Sequence, residues 1–157
     1  MTYDGTALAL DETDGTAIGT VLDMRFHHVG VAVKDIETAL RYYVGVFGFE
    51  RVSEPIAVEA EHVRVCFVRA DPGLLIELVE GLDEHSPVRD LLERPGAGTY
   101  HICYQVNDLD RAIRELRSRR FFPFKRFEVE TEGPRKFAFL LTPDRQLFEL
   151  CEAGAYS

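Results

Sequence analysis

The chain is expected to be an α+β protein in which two βαβββ modules form one curved mixed sheet. Two observations lead there. The first is an internal repeat: a shift of 73 residues lays His28 to Arg41 on His101 to Arg114, with five of 14 positions identical, where roughly one would be expected by chance. A shift of 72 then pairs Leu75 to Glu80 with Leu147 to Glu152. The second is the order of hydrophobic periods, which runs strand, helix, strand, strand, strand in both halves.

Each element has its own signal. Phe26 to Val33 alternates as a half-buried strand does, and Asp35 can cap a helix whose apolar residues Ile36, Ala39, Leu40, Tyr43 and Phe47 recur at helical spacing before Gly48. Strands are expected near 49–54, 62–69 and 74–80, with a turn at 70–73. Ser86-Pro87 resembles a helix start, Ser as cap and Pro at the first position, and Pro95 to Gly98 would stop it. The second module repeats the order, with a strand over 100–106, a helix from Asp108 through Arg119, and strands near 121–129, 136–141 and 146–151. The division expected is an extension over 1–22, a first module over 23–83, a helical linker over 84–98, a second module over 99–153 and a tail over 154–157. A module of this size seldom stands alone, so the two must share an interface.

Composition narrows the function. The 46% apolar content contains no run of about 18 apolar residues, so no membrane span is expected. Neither a secretory nor a transit signal is visible after Met1, and a cytoplasmic location is expected. A net charge of −9 repels polyanions and argues against nucleic-acid binding. Asp4, Asp11, Glu12 and Asp14 carry part of that charge in the Gly/Thr/Asp-rich extension, which has no Lys or Arg and is expected to be disordered. Cys66, Cys103 and Cys151 lie in separate apolar runs, the pattern of reduced core thiols.

Each module opens on a histidine and closes on a glutamate: His28 and Glu77, 49 residues apart, then His101 and Glu149, 48 apart. Strand alternation allows the members of a pair to share the concave face of a curved sheet, and the repeat would set the two pairs opposite one another. Two imidazoles and two carboxylates suit a divalent ion with two positions left for substrate. A lone strand histidine is more often a packed residue, and a lone strand glutamate is more often solvent-facing. Four such residues in register in two copies favour a metal-binding sheet, because a carboxylate in an apolar interior is costly unless paired. His27, expected on the face opposite His28, and His62 and His85 are read as surface residues.

The stretches His27 to Ile36, Arg64 to Val68, Leu75 to Leu78, Ser86 to Glu93, Gly96 to Ile102 and Phe148 to Glu152 resemble the vicinal oxygen chelate (glyoxalase/bleomycin resistance/dioxygenase) superfamily, most closely its methylmalonyl-CoA epimerase branch. The resemblance implies the paired-module fold, a homodimer, and metal-ligand positions at His28, Glu77, His101 and Glu149. Tyr100 stands where the family usually has a second histidine, and Val65 where some epimerases place a catalytic carboxylate. The last hairpin, Leu141 to Leu147, is short and lacks the family's histidine.

That resemblance implies a metal-dependent epimerase acting on methylmalonyl-CoA or a related acyl thioester, through α-proton abstraction and a chelated enolate. The metal would be Co, Mn, Ni, Fe or Zn. Glu149 or Glu77 would serve as one acid/base, and Glu61 or Glu59 as the other, although loop carboxylates are commonly inert. Arg119 and Arg120, in the basic and aromatic segment that runs to Arg126, are candidates to hold the nucleotide of CoA; the competing reading is a solvated helix face. The alternatives are a glyoxalase-like lyase or isomerase and a non-catalytic small-molecule binder of the drug-resistance type. A ring-cleaving dioxygenase fits less well, since that branch typically uses two histidines and one carboxylate. Whether the modules pair within a chain or across a dimer is left open.

Overall fold

The computed structural model describes residues 17–70, 72–130 and 134–154. Its strands form one mixed sheet in the order β2-β4-β5-β1-β6-β9-β8-β7, with β3 paired to β4 alone. The first module supplies β1 (Arg25–Val33), β2 (Glu50–Arg51), β3 (Ile56–Val58), β4 (Val63–Arg69) and β5 (Leu75–Gly81). The second supplies β6 (Thr99–Val106), β7 (Phe122–Glu130), β8 (Pro134–Leu141) and β9 (Leu147–Glu152). Both modules are laid out alike. In each, the first strand runs parallel to the last, β1 to β5 and β6 to β9, and the others add antiparallel. The two first strands join the halves as an antiparallel pair, with Gly30 opposite His101 and His28 opposite Cys103. The modules therefore pair within one chain.

Each helix covers the same face of its own half. Asp35 caps α2 (Ile36–Gly45) by accepting from the Thr38 amide at 2.6 Å, and Asp108 caps α3 (Leu109–Arg117) through the Arg111 amide at 2.9 Å. A second repeated contact fixes the helices to the sheet. The Ile36 amide donates to Glu80 at 2.8 Å and the Leu109 amide to Glu152 at 3.2 Å, so each helix start is held by the last strand of its module. Ile36, Ala39 and Leu40 pack on Cys66, Val68 and Leu78, while Leu109, Ala112 and Leu116 pack on Val106, Leu140 and Leu150.

The other face of the sheet curls inward. Val58, Val63 and Val65 from one end of the strand order share a core with Val129 and Phe137 from the other. All three cysteines are buried and unbridged.

Several local expectations differ from the structure. Ser86 caps no helix: the linker turns once and holds a 3-10 segment, Asp90–Glu93. Arg94, just before Pro95, is already extended, as the residue preceding a proline tends to be, and the segment closes after one 3-10 turn. The strand expected over 49–54 is only the two residues of β2, and β3 then follows with a 3-10 turn, Glu59–Glu61, where no element was expected. Of the N-terminal extension, residues 1–16 lie outside the described residues. The short α1 (Ile18–Val21) follows, and Leu22 packs beside Ile18, Met24 and the α3 core. No helix among the described residues is long and apolar enough to cross a membrane.

Candidate metal centre

The four adjacent central strands each contribute one polar side chain: Glu77 from β5, His28 from β1, His101 from β6 and Glu149 from β9. Between 0 and 6% of each residue is exposed. Gly30 of β1 lies opposite Glu77 on one side and His101 on the other. His28 Nε2 and His101 Nε2 are 3.0 Å apart. Glu77 Oε2 lies 3.4 Å from His28 Nε2 and 3.3 Å from His101 Nε2, and Glu149 Oε2 lies 3.3 and 3.2 Å from the same two atoms.

His28, Glu77 and His101 bring their donor atoms close enough together to hold a metal ion, and Glu149 Oε2 lies beside both imidazole nitrogens. Ligands about 2.1 Å from one ion in neighbouring octahedral positions lie about 3.0 Å apart, and the five separations run from 3.0 to 3.4 Å. Charge points the same way. Burial alone would lower both imidazoles, but the two carboxylates outweigh it and push His28 to about 10 and His101 to about 9. For the carboxylates, burial opposes ionisation and the paired imidazoles overcome it, so both lie below the usual range. Two protons thus balance two buried carboxylates, and one divalent ion with two neutral imidazoles carries the same charge.

Neighbouring side chains orient these donors. His27 Nδ1 is 2.8 Å from His28 Nδ1, a hydrogen bond that leaves His28 Nε2 directed at the cluster. His27 was expected on the opposite face, but the β1/β6 register slips between Phe26 and His28, and that irregularity turns its ring beside its neighbour. A Cβ on Gly30 would stand 2.6 Å from His101 Nδ1 and 2.7 Å from Nε2, so only glycine lets the imidazole lie across this backbone. Phe67 meets the His28 ring edge-on at 5.5 Å and Phe139 does the same to His101 at 5.5 Å. These rings are themselves 72 residues apart, the shift that relates the two glutamates, and that spacing was the signal that could have singled them out.

The cluster opens into a pocket lined by Glu77, His101, Glu149, Glu61 and Tyr100 among Val58, Val63, Val65, Val79, Phe127 and Phe139. Glu61 ends the 3-10 turn after β3 and is 6% exposed. Burial, opposed by Lys125, raises its carboxyl above the usual range. Burial likewise raises the Tyr100 hydroxyl, helped by Glu61, Glu149 and Glu77. Glu59, on the same turn, is exposed and off the pocket. Arg119 and Arg120 follow α3 on the opposite face of the sheet, exposed, with Arg119 paired to Glu115 at 3.0 Å; the structure does not bring them to the pocket. His62 is bound to Asp83 at 2.9 Å outside the cluster, and His85 is exposed beside it.

Residues 27–139 match the Glyoxalase/Bleomycin resistance protein/Dioxygenase superfamily, and the chain belongs to that superfamily. Within it, the chain is 40% identical over 94 residues to the ethylmalonyl-CoA/methylmalonyl-CoA epimerase of Cereibacter sphaeroides, covering 59% of this chain and 69% of that one. It is 32% identical over 130 residues to YqjC of Bacillus subtilis, covering 82% and 91%. In structure it resembles Streptomyces coelicolor methylmalonyl-CoA epimerase in complex with 2-nitronate-propionyl-CoA, with TM-score 0.67 and 25% identity over 82% of this chain and 97% of that one. The matches to mitochondrial methylmalonyl-CoA epimerases span 53 to 61% of those proteins' length.

Proposed function

We propose that the chain is a metal-dependent epimerase of methylmalonyl-CoA or a closely related acyl thioester. The observation that carries this reading is one apolar pocket onto which carboxylates from both modules face, Glu61 from the first and Glu149 from the second, beside the His28, Glu77, His101 and Glu149 cluster. In this reading those four residues hold one divalent ion, which when bound supplies a Lewis acid to the thioester and carboxylate oxygens. The similarity to epimerases, one of them complexed with an acyl-CoA analogue, supports the substrate class.

The residues have distinct tasks. An α-proton lies many pK units above a carboxylate, and each unit costs about 1.4 kcal/mol, so the reacting carbon must be held beside a base in a site that stabilises developing charge. Glu61, raised by burial, takes or returns the proton from the side of the β3 turn. Glu149, or Glu77, would hold the proton on the side of the cluster. Val65, Val79, Phe127 and Phe139 keep water from the reacting carbon. Removal on one side and return on the other inverts the centre.

The reading also includes a cytoplasmic homodimer, the dimer supported by the family resemblance. Proton NMR of the metal-reconstituted protein with methylmalonyl-CoA in deuterium oxide tests the activity. Loss of the α-proton and collapse of the methyl doublet, absent with Glu149→Ala, is the expected result. No exchange above that control, in protein shown to hold metal, overturns the epimerase reading and favours a glyoxalase-type substrate.

A further inference from the structure

Lys125 is the one cationic side chain in contact with Glu61 among the described residues, and it comes from the far end of the sheet. Glu61 follows β3, which hangs on β4 at one end of the strand order, whereas Lys125 lies on β7 at the other. The curl of the sheet brings Lys125 Nζ to 2.8 Å from Glu61 Oε1 and 3.1 Å from the Ala60 carbonyl oxygen. The lysine thus grips both the turn and its carboxylate. Its own side chain stays 40% exposed while that of Glu61 is 7% exposed, so the pair stands at the pocket wall with its cation outward.

We propose that Lys125 is the positioning residue for proton transfer by Glu61, fixing the carboxylate of one module from the other and keeping it able to accept the substrate's α-proton. This rests on the epimerase reading. Chemistry requires such a partner. Burial drives the Glu61 carboxyl toward its neutral form, Glu149 across the pocket reinforces that, and Lys125, with His62 more weakly, opposes it. Tyr100, Glu77 and His101 complete the titratable groups on the pocket lining. A carboxylate left without its cation in these surroundings would hold its proton to higher pH, and less of it would be ionised to act as a base. With the cation it lies between the two extremes, where it can take a proton and give it back. The His62 backbone, in the left-handed region at φ 54°, ends the turn, and its carbonyl accepts from the Leu82 amide at 2.9 Å, which holds the turn on the other side.

The test measures the Glu61 carboxyl directly. In protein labelled with carbon-13 at glutamate carboxyls, metal-free and zinc-loaded, the Glu61 resonance is assigned with Glu61→Gln and titrated in wild type, Lys125→Met and Lys125→Arg. The expected result is a midpoint raised by about one unit or more in Lys125→Met, the usual effect of losing a close opposite charge, and restored in Lys125→Arg. The deuterium-exchange assay with methylmalonyl-CoA should show the acidic limb of kcat/KM moving by the same amount. A Glu61 midpoint that does not move in Lys125→Met overturns the proposal whatever the activity. Wild-type exchange with an unmoved acidic limb overturns the role in proton transfer alone. A midpoint that moves in a wild type that exchanges no α-proton overturns the epimerase reading and this role with it.

Discussion

At the scale of single residues, the centre depends on groups that are not themselves candidate ligands. Gly30→Ala would press a methyl group into the His101 imidazole, at 2.6 Å from Nδ1. We predict about 10- to 100-fold weaker binding of divalent metal in calorimetric titration, with the far-ultraviolet circular dichroism unchanged. His27→Ala, which removes the partner of His28 Nδ1, is expected to weaken metal binding about 10-fold for the same reason. The histidine and glutamate pairs were legible in the sequence because duplication repeats them and strand alternation gives each a face. The place of His27 beside His28, and the burial that sets Glu61 apart from Glu59, were not. A register slip cannot be read from alternation, and the burial of Glu61 arises only when the two ends of the sheet meet, so its turn looks like any charged loop.

At the scale of elements, the repeat extends to how each helix is seated. Glu80 and Glu152, 72 residues apart, accept from the first amides of α2 and α3. Glu80→Ala or Glu152→Ala should each cost about 1 kcal/mol in urea denaturation, the usual loss for an unsatisfied helix start. Strands and helices were legible where the apolar period was long, as in β1, α2 and α3. The linker was not, because Ser-Pro opens a turn as readily as a helix and Pro95 forces the preceding Arg94 into an extended conformation. The basic segment was read for charge, while its place was set by packing: Leu116 and Phe121 seat the end of α3 on the face away from the pocket and leave Arg119 exposed with Glu115. Arg119→Ala with Arg120→Ala is therefore expected to change KM for a CoA ester by less than about twofold in steady-state kinetics, as for other exposed charges.

At the scale of the whole molecule, the buried charges couple stability to pH. His28 and His101 lie above their ordinary 6.5, so their contribution is fully present below about 6.5 and is lost as pH rises through about 9 to 10. Glu77 and Glu149 lie below 4.5, so theirs is present above that value and is lost on acidification. The metal-free protein should accordingly be most stable at mildly acid pH. An ion that replaces the two imidazole protons should raise Tm more at pH 8.5 than at pH 6, measured by scanning calorimetry with and without metal. The curled sheet makes this possible by bringing a charged set from two modules into one interior, which neither module could enclose alone.

The central claim is that the duplicated histidine and glutamate form one cation site per chain. Equilibrium dialysis against cobalt, manganese, nickel, iron and zinc, followed by elemental analysis of wild type, His28→Ala, His101→Ala, Glu77→Ala and Glu149→Ala, tests it most directly. The account predicts about one ion per wild-type chain and loss of that ion in every variant, two from each module. Retention of the ion at wild-type affinity in the variants of either module would contradict it.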